Sequence, residues 1–480
     1  MQQGIKFLED QVQSRRVFHR QLGPGELLKT YMGGYELEVL FDSGRRFRLP
    51  AREFADESLS AWQAQTAPVS NGFAPRAPVL ELDQFRARQT LEALRLGIVP
   101  VQDVETLTIG LEAEQVSLDR ALVRSKERGG DVLAVIGDYG FGKSHFVELA
   151  ARRALRENML VAVASLDLVE VPPGKANEIY KALVHSIRYP DRDERGLRPL
   201  IEQALERPGV ISQFVERSPR QNDCPLVRAL GALAECGSQA AYDDLVAWIG
   251  GQIKPTQEMK TCLRKPPRLY LTGEVARQYA YLLTGLSVLA SMLGYGGLAV
   301  LIDESEHYSL LRANQRDRAD AFFKALIYAA LGPSNSRVDP KTIPYHGSVD
   351  YEITFATDPH LFFLFALTES ENRMPVDAWL APSQIVRLDD RFIERDILEF
   401  YKTLLRYHCI AYAYDYPPPP ERYAEIVRST PGMLSRALNQ HRINLREVIR
   451  LAVIVCDLLY LHADYTPGDL LQELAGGLRI

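Results

Sequence analysis

A chain of 480 residues is too long for one ordinary domain and sets an expectation of two or three. Its 46% hydrophobic and 25% charged residues fit a soluble globular protein, and no apolar run is long enough to span a bilayer. The formal net charge of −6 excludes an overall basic footprint, so any nucleic-acid contact needs a local patch. No N-terminal stretch resembles a secretion signal. The five cysteines, Cys224, Cys236, Cys262, Cys409 and Cys456, have the spacing of neither a zinc site nor a redox pair. Scattered free thiols point to a reducing cytoplasm.

At the N-terminus, Gln2 to Arg20 is polar with sparse apolar positions (Ile5, Phe7, Leu8, Val12, Val17), which predicts one short amphipathic helix. Gly23-Pro24-Gly25 is turn chemistry. Tyr35 to Phe41 alternates at period two, Asp42-Ser43-Gly44 marks a tight turn, and Arg45 to Leu49 alternates again. This predicts a hairpin inside a small all-β unit. Its arginines, Arg45, Arg46, Arg48 and Arg52, suit contact with phosphates or an acidic partner, and equally suit a solvated strand face. Ala55 to Pro78 lacks periodicity and reads as a linker. The expected division is residues 1–58 for the helix and β unit, then a linker over 59–78.

Periodicity returns at Leu82 to Leu94, a helix broken at Gly97, and a second helix is expected from Val101 to Glu127. Asp131 to Ile136 (DVLAVI) is an apolar, β-branched run expected to form a buried strand. Gly137 to Ser144 then reads GDYGFGKS, matching the phosphate loop G-x-x-x-x-G-K-[ST] at every fixed position. Gly137, Gly140 and Gly142 let the backbone through Asp138, Tyr139 and Phe141 turn its N–H groups toward phosphate oxygens. Lys143 supplies a positive charge for the β- and γ-phosphates, and Ser144 a hydroxyl for Mg²⁺. The helix expected from His145 to Ala154 aims its positive dipole end at the phosphates. Met159 to Ser165 is a second buried strand, and the resulting βαβ unit implies a parallel sheet. Residues 177–293 are largely helical by pattern, too long for one crossover, and read as a helical insertion over about 190–285.

Leu298 to Glu304 (LAVLIDE) is an apolar strand ending in two acids, the second signature of a nucleoside triphosphatase. Asp303 is expected to hold Mg²⁺ through a water, and Glu304 to polarise the attacking water as catalytic base. Glu306 and His307 are polar loop residues or partner contacts. Arg312, Arg316, Arg318 and Arg373 are the candidates for an arginine supplied to a neighbouring subunit. Leu361 to Leu367 is a further buried strand, and Thr368 at its end is either a water-orienting residue or a plain strand cap. The core is bounded at 79–388. From Asp390 the chain is all-helical by pattern, with segments 392–408, 420–428, 433–441 and 446–462.

Four resemblances rest on these residues. Val39 to Leu49 (VLFDSGRRFRL) resembles the small Tudor/SH3-like barrels appended to bacterial helicases and transcription-coupled repair proteins. Thr430-Pro-Gly-Met-Leu-Ser-Arg436 resembles the lid segment of origin-recognition-like AAA+ ATPases, which implies that Arg436 reaches the γ-phosphate. Similarity to additional-strand ATPases of that type implies the water-orienting role for Thr368. Finally, Arg88 to Val99 (RQTLEALRLGIV), GDYGFGKSHF and LIDESEH together resemble the P-loop ATP-binding proteins of bacteriophage-exclusion (BREX-type) defence systems, over about 79–445. That resemblance implies an AAA+-type α/β P-loop NTPase with a parallel sheet, a helical insertion and a C-terminal helical lid over 389–480, while the small N-terminal β barrel is implied by the Tudor/SH3 likeness alone. It implies ATP and Mg²⁺ as ligands, an ATPase cycle coupled to conformational change, and Ile98 and Val99 against the adenine ring. It further implies a helicase or nuclease partner, with DNA contact and self-association open. The N-terminal β unit departs from the usual family pattern. A slow nucleotide-dependent switch or loader is the second reading.

Overall fold

The computed structural model describes residues 15–19, 23–31, 36–42, 44–50, 54–55, 82–218, 224–269, 275–344, 352–388, 394–414 and 445–473, apart from 463, 467 and 471. The chain divides into two compact units, Met1–Val79 and Leu80–Ile480.

The first unit is an antiparallel sheet of β1 (Arg15–His19), β2 (Gly23–Tyr31), β3 (Glu36–Phe41), β4 (Arg46–Pro50) and β5 (Phe54–Ala55), in the order β4-β3-β2-β1-β5. Two expectations are corrected here. Arg15–His19 is strand, not helix: Val17 and His19 are both buried, a period of two. Gly23 to Gly25 opens β2 and is not a turn. A Cβ on Gly25 would lie 2.7 Å from Val39 Cγ1, so the glycine permits close strand approach. Val17, Val39 and Phe41 form a small core with Leu27, Leu37 and Leu49. Arg46 Nε donates to Glu38 Oε1 at 2.7 Å, so one hairpin arginine is matched within its own sheet. Ala55, expected to open the linker, ends β5 instead, and Arg52 and residues 56–78 lie outside the described residues.

The second unit is built on a five-stranded parallel sheet of β6 (Gly130–Gly137), β7 (Leu160–Ser165), β8 (Leu298–Asp303), β9 (Leu361–Thr368) and β10 (Ile385–Leu388). Their order is β10-β6-β9-β8-β7, and every pairing is parallel. Parallel strands carry helices on both faces and therefore read as continuous apolar runs. The two faces separate by alternation. Val132, Ala134 and Ile136 of β6 join Phe363 and Phe365 of β9 in one core. Leu133 and Val135 join Phe362 and Leu364 in the other. This mixed α/β arrangement fits a P-loop nucleoside triphosphatase. β10 was not foreseen, because four residues carry too little pattern.

Helices α1 (Leu82–Arg95), α2 (Glu112–Glu127) and α3 (Lys143–Arg156) precede and follow β6. α2 begins eleven residues later than the sequence suggests, and 101–110 is turn followed by a short irregular stretch. The Thr108 hydroxyl donates to Val104 O at 2.6 Å, and Gly110 takes φ 62°, local bonding that competes with helix there. Leu118 and Leu122 of α2 and Phe146 and Leu149 of α3 pack on one sheet face.

The opposite face carries α4 (Ala176–His185), α10 (Ala276–Met292) and α11 (Ala313–Leu331). Between α4 and α10 lie α5 (Arg198–Glu206), α6 (Val210–Arg217), α7 (Pro225–Ala234), α8 (Gln239–Ile249) and α9 (Met259–Cys262). Cys236 and Cys262 are joined as a disulfide, which corrects the expectation of scattered free thiols. The folding of α8 back between α7 and α9 brings them together, which their spacing does not reveal. Cys224, Cys409 and Cys456 are free. Among the described residues, no helix is long and apolar enough to cross a membrane.

Two further helices, α12 (Glu394–Tyr412) and α13 (Leu445–Leu461), close a third core with α1. Leu91 and Leu94 meet Tyr401, Leu404, Val453 and Val455 there. The buried His408 ring bonds to Tyr414 and Asp457, and Asp457 also accepts from Arg95 of α1 at 2.9 Å. The helices expected over 420–428 and 433–441 lie outside the described residues.

Candidate functional site

The site forms where the carboxyl ends of β6 and β8 open toward the start of α3. Gly142 takes φ 84° as the residue before α3, and Gly140 takes φ 85°. Both values belong to the left-handed region that glycine adopts without a Cβ penalty. The loop thus turns sharply and delivers the first N–H groups of α3 to one spot.

Lys143 is 7% exposed, and its ammonium donates to Gly137 O and Asp138 O, each at 3.1 Å. A lysine this buried is held by polar partners, and here the loop's own carbonyls supply them. It therefore points back across the loop it follows.

One cleft collects most of the sequence candidates: Tyr139 to His145 of the loop, Asp303 and Glu304 at the end of β8, and Ile98 and Val99 after α1. Gly137 and Asp138 sit at its root through their bonds to Lys143. Apolar side chains that sequence reasoning missed complete one wall: Leu94, Leu107, Ile109, Phe400, Leu445 and Ile449. They come from α1, the 101–110 turn, α12 and α13, and their only sequence signal is apolarity. Such a wall beside a phosphate loop has the chemistry of a base pocket.

The acidic end is set by strand register. Ser165 pairs level with Asp303, and Glu304 follows with φ 56°, a strained value for a residue other than glycine. Asp303 Oδ1 accepts from Glu304 N at 2.8 Å. Ser165 Oγ donates to Glu304 Oε2 at 3.1 Å, a contact the sequence did not reveal. Ser144 and Asp303 present a hydroxyl and a carboxylate to one cleft, a hard-oxygen donor pair that suits Mg²⁺ completed by phosphate oxygens and water. Among the described residues no group of three or more His, Cys, Asp or Glu could enclose a metal unaided.

Thr368 ends β9 level with Gly137, and β9 lies between β6 and β8. Thr368 therefore stands between the phosphate loop and the acidic strand end but does not line the cleft. Arg436 lies outside the described residues. The first turn of α13 instead brings Arg446 to the loop: its guanidinium lies 5.1 Å from the centroid of the Tyr139 ring and donates to Tyr139 OH at 2.8 Å.

His145, directly after Ser144, faces away toward the 101–110 turn. Its Nε2 lies 2.8 Å from Thr108 Oγ1. That hydroxyl spends its proton on Val104 O, so the imidazole must donate. Burial pushes the His145 pKa down to about 4, against a smaller opposing pull from a backbone bond to Val104. The ring is neutral at pH 7 and props the loop helix against the turn. Of the four finger candidates, two are engaged within the chain. Arg316 donates to Leu311 O and Ser309 O, and Arg373 pairs with Glu369 and Asp377. Arg312 and Arg318 are exposed.

The sequence model of the family described as BREX system ATP-binding protein BrxC/D matches residues 82–230 and 224–329. Together these cover slightly more than half of the chain, from α1 through α11, and include the phosphate loop and the acidic strand end. β9, α12 and α13 lie beyond the match. No curated protein and no solved structure matches the chain.

Proposed function

The chain belongs to the BrxC/BrxD family of BREX-system ATP-binding proteins, and from that premise we propose that it hydrolyses ATP and couples the cycle to movement of its C-terminal helices. The observation that carries this reading is the meeting of Lys143, Ser144, Asp303 and Glu304 in one cleft with an apolar wall beside them. The position of β9 between the phosphate-loop strand and the acidic strand supports the AAA+-type assignment.

In the proposed cycle, Ile98 and Val99 with Leu107, Ile109 and Phe400 hold the adenine, while Lys143 and the loop amides bind the phosphates. Ser144 and Asp303 hold Mg²⁺, which neutralises charge on the phosphate oxygens. Glu304, held by Ser165, takes a proton from the attacking water. Thr368 acts on that water from the adjacent strand end, and Arg436 links the γ-phosphate to the C-terminal helices, which serve as a lid. The product, lacking the γ-phosphate, then releases them. Within a defence assembly this motion would act on a helicase or nuclease partner.

Steady-state phosphate release tests the reading. Wild-type protein should turn over ATP with Mg²⁺, while Lys143→Ala and Glu304→Gln should each lose at least about 90% of the rate. A Glu304→Gln rate equal to wild type would remove hydrolysis at this site from the account.

A further inference from the structure

The mouth of the cleft has two sides. One is the turn at Gly97 and Ile98 that ends α1, and the other is the phosphate loop at Tyr139. One side chain touches both. The aliphatic stem of Arg446 lies against Gly97, where an added Cβ would come within 3.0 Å of Arg446 Cγ and Cδ. Gly97 takes φ 70°, so glycine both makes room for the stem and supplies the turn. The guanidinium continues across to Tyr139, stacking over the ring and hydrogen-bonding its hydroxyl.

The position of Arg446 is fixed from behind. Arg450, one turn further along α13, donates to Arg95 O at 3.2 Å. Arg95 in turn donates both to Asp457 of α13 and to Glu92. α13 is thereby fastened to the last turn of α1. Leu445, next to Arg446, lies 3.9 Å from the Cβ position of Gly142. The first turn of α13 therefore covers the loop, and Arg446 is its outermost bridge. Tyr139 is 59% exposed, and its ring and hydroxyl both meet Arg446.

We propose that Arg446 and Tyr139 form a clasp across the cleft mouth that sets how fast nucleotide leaves. The proposal rests on the reading of the cleft as an ATP site and names a regulatory contact of that site. Arg446 is a positioning residue: it holds the base side and the phosphate side of the mouth together and takes no part in the chemical step. A planar guanidinium can stack on the ring and bond its hydroxyl at once, which an ammonium cannot do equally well.

The test is the dissociation rate of a fluorescent ATP analogue from the full-length protein, followed by stopped flow. Arg446→Ala and Tyr139→Ala should each accelerate dissociation about tenfold, the size expected for a cation–π contact joined to one charged hydrogen bond. The double variant should be no faster than either single one, because both remove the same contact. Tyr139→Phe keeps the ring and loses the hydroxyl, so its acceleration should be smaller. Unchanged rates in the single variants, or a double variant showing the product of two independent effects, would overturn the clasp while leaving the ATP site standing. A wild-type protein that binds no analogue would overturn the site reading, and the clasp with it.

Discussion

Ser165 Oγ donates a 3.1 Å hydrogen bond to Glu304 Oε2, joining the end of β7 to the residue that follows β8. Parallel register sets this contact, because Ser165 is level with Asp303 and Glu304 is next in the chain. The carboxylate of an exposed residue with positive φ is thus held in place by a neighbouring strand.

Removing that hydroxyl should disturb chemistry more than binding, since Ser165 does not line the cleft. Ser165→Ala is expected to lower kcat for ATP about three- to tenfold, the range for one partly exposed hydrogen bond to a charged group, with KM nearly unchanged. Steady-state kinetics checks this. A KM effect without a kcat effect would assign Ser165 to the binding site instead.

Lys143 is buried with its ammonium on two loop carbonyls. Lys143→Ala should weaken ATP binding by at least roughly thirtyfold, as expected for loss of a charge-assisted contact of about 2 kcal/mol. Fluorescence titration with an ATP analogue reads this directly. Thermal stability of the unliganded protein should not rise, because the variant removes two hydrogen bonds along with the buried charge.

His145 gives a pH signature. Its folded pKa of about 4 lies below the ordinary value of 6.5, because burial disfavours the charged ring. Below pH 6.5 the unfolded chain binds a proton that the folded chain refuses. The contribution is therefore intact above about pH 6.5 and is lost as pH falls toward 4. Urea midpoints should fall on acidification through that window. In His145→Gln the slope should be shallower, and equal slopes would contradict the assignment.

The Cys236–Cys262 disulfide joins the end of α7 to α9 at a sequence separation of 26. On the chain-entropy account, closing such a loop contributes about 3.5 kcal/mol. Cys236→Ser should therefore lower the Tm of the oxidised protein and leave that of the reduced protein nearly unchanged. Thiol alkylation of unfolded, unreduced protein, read by mass spectrometry, should label Cys224, Cys409 and Cys456 only.

The legible and the illegible parts of this chain differ for physical reasons. β6, the loop and β8 could be read because buried parallel strands are apolar throughout and the loop needs fixed residue types at fixed spacing. Ser165 could not be found, because its value comes from register between strands far apart in sequence. Arg446 was missed because a helix-start arginine looks like any surface charge until α13 is folded back over Gly97. The same holds for the disulfide, whose halves meet only through the turn of α8. The helix expected over residues 2–20 failed at Arg15–His19, where five residues of period two were outweighed by the polar stretch before them. The helix expected from Val101 failed because Thr108 and Gly110 favour local bonds over helix.

The central claim is that Glu304 drives hydrolysis of ATP held by Lys143. A single-turnover reaction with radiolabelled ATP and excess protein tests it most directly. Wild-type protein should convert its bound ATP to ADP, while Glu304→Gln should hold ATP unconverted over the same interval. Conversion by Glu304→Gln at the wild-type rate would contradict the account.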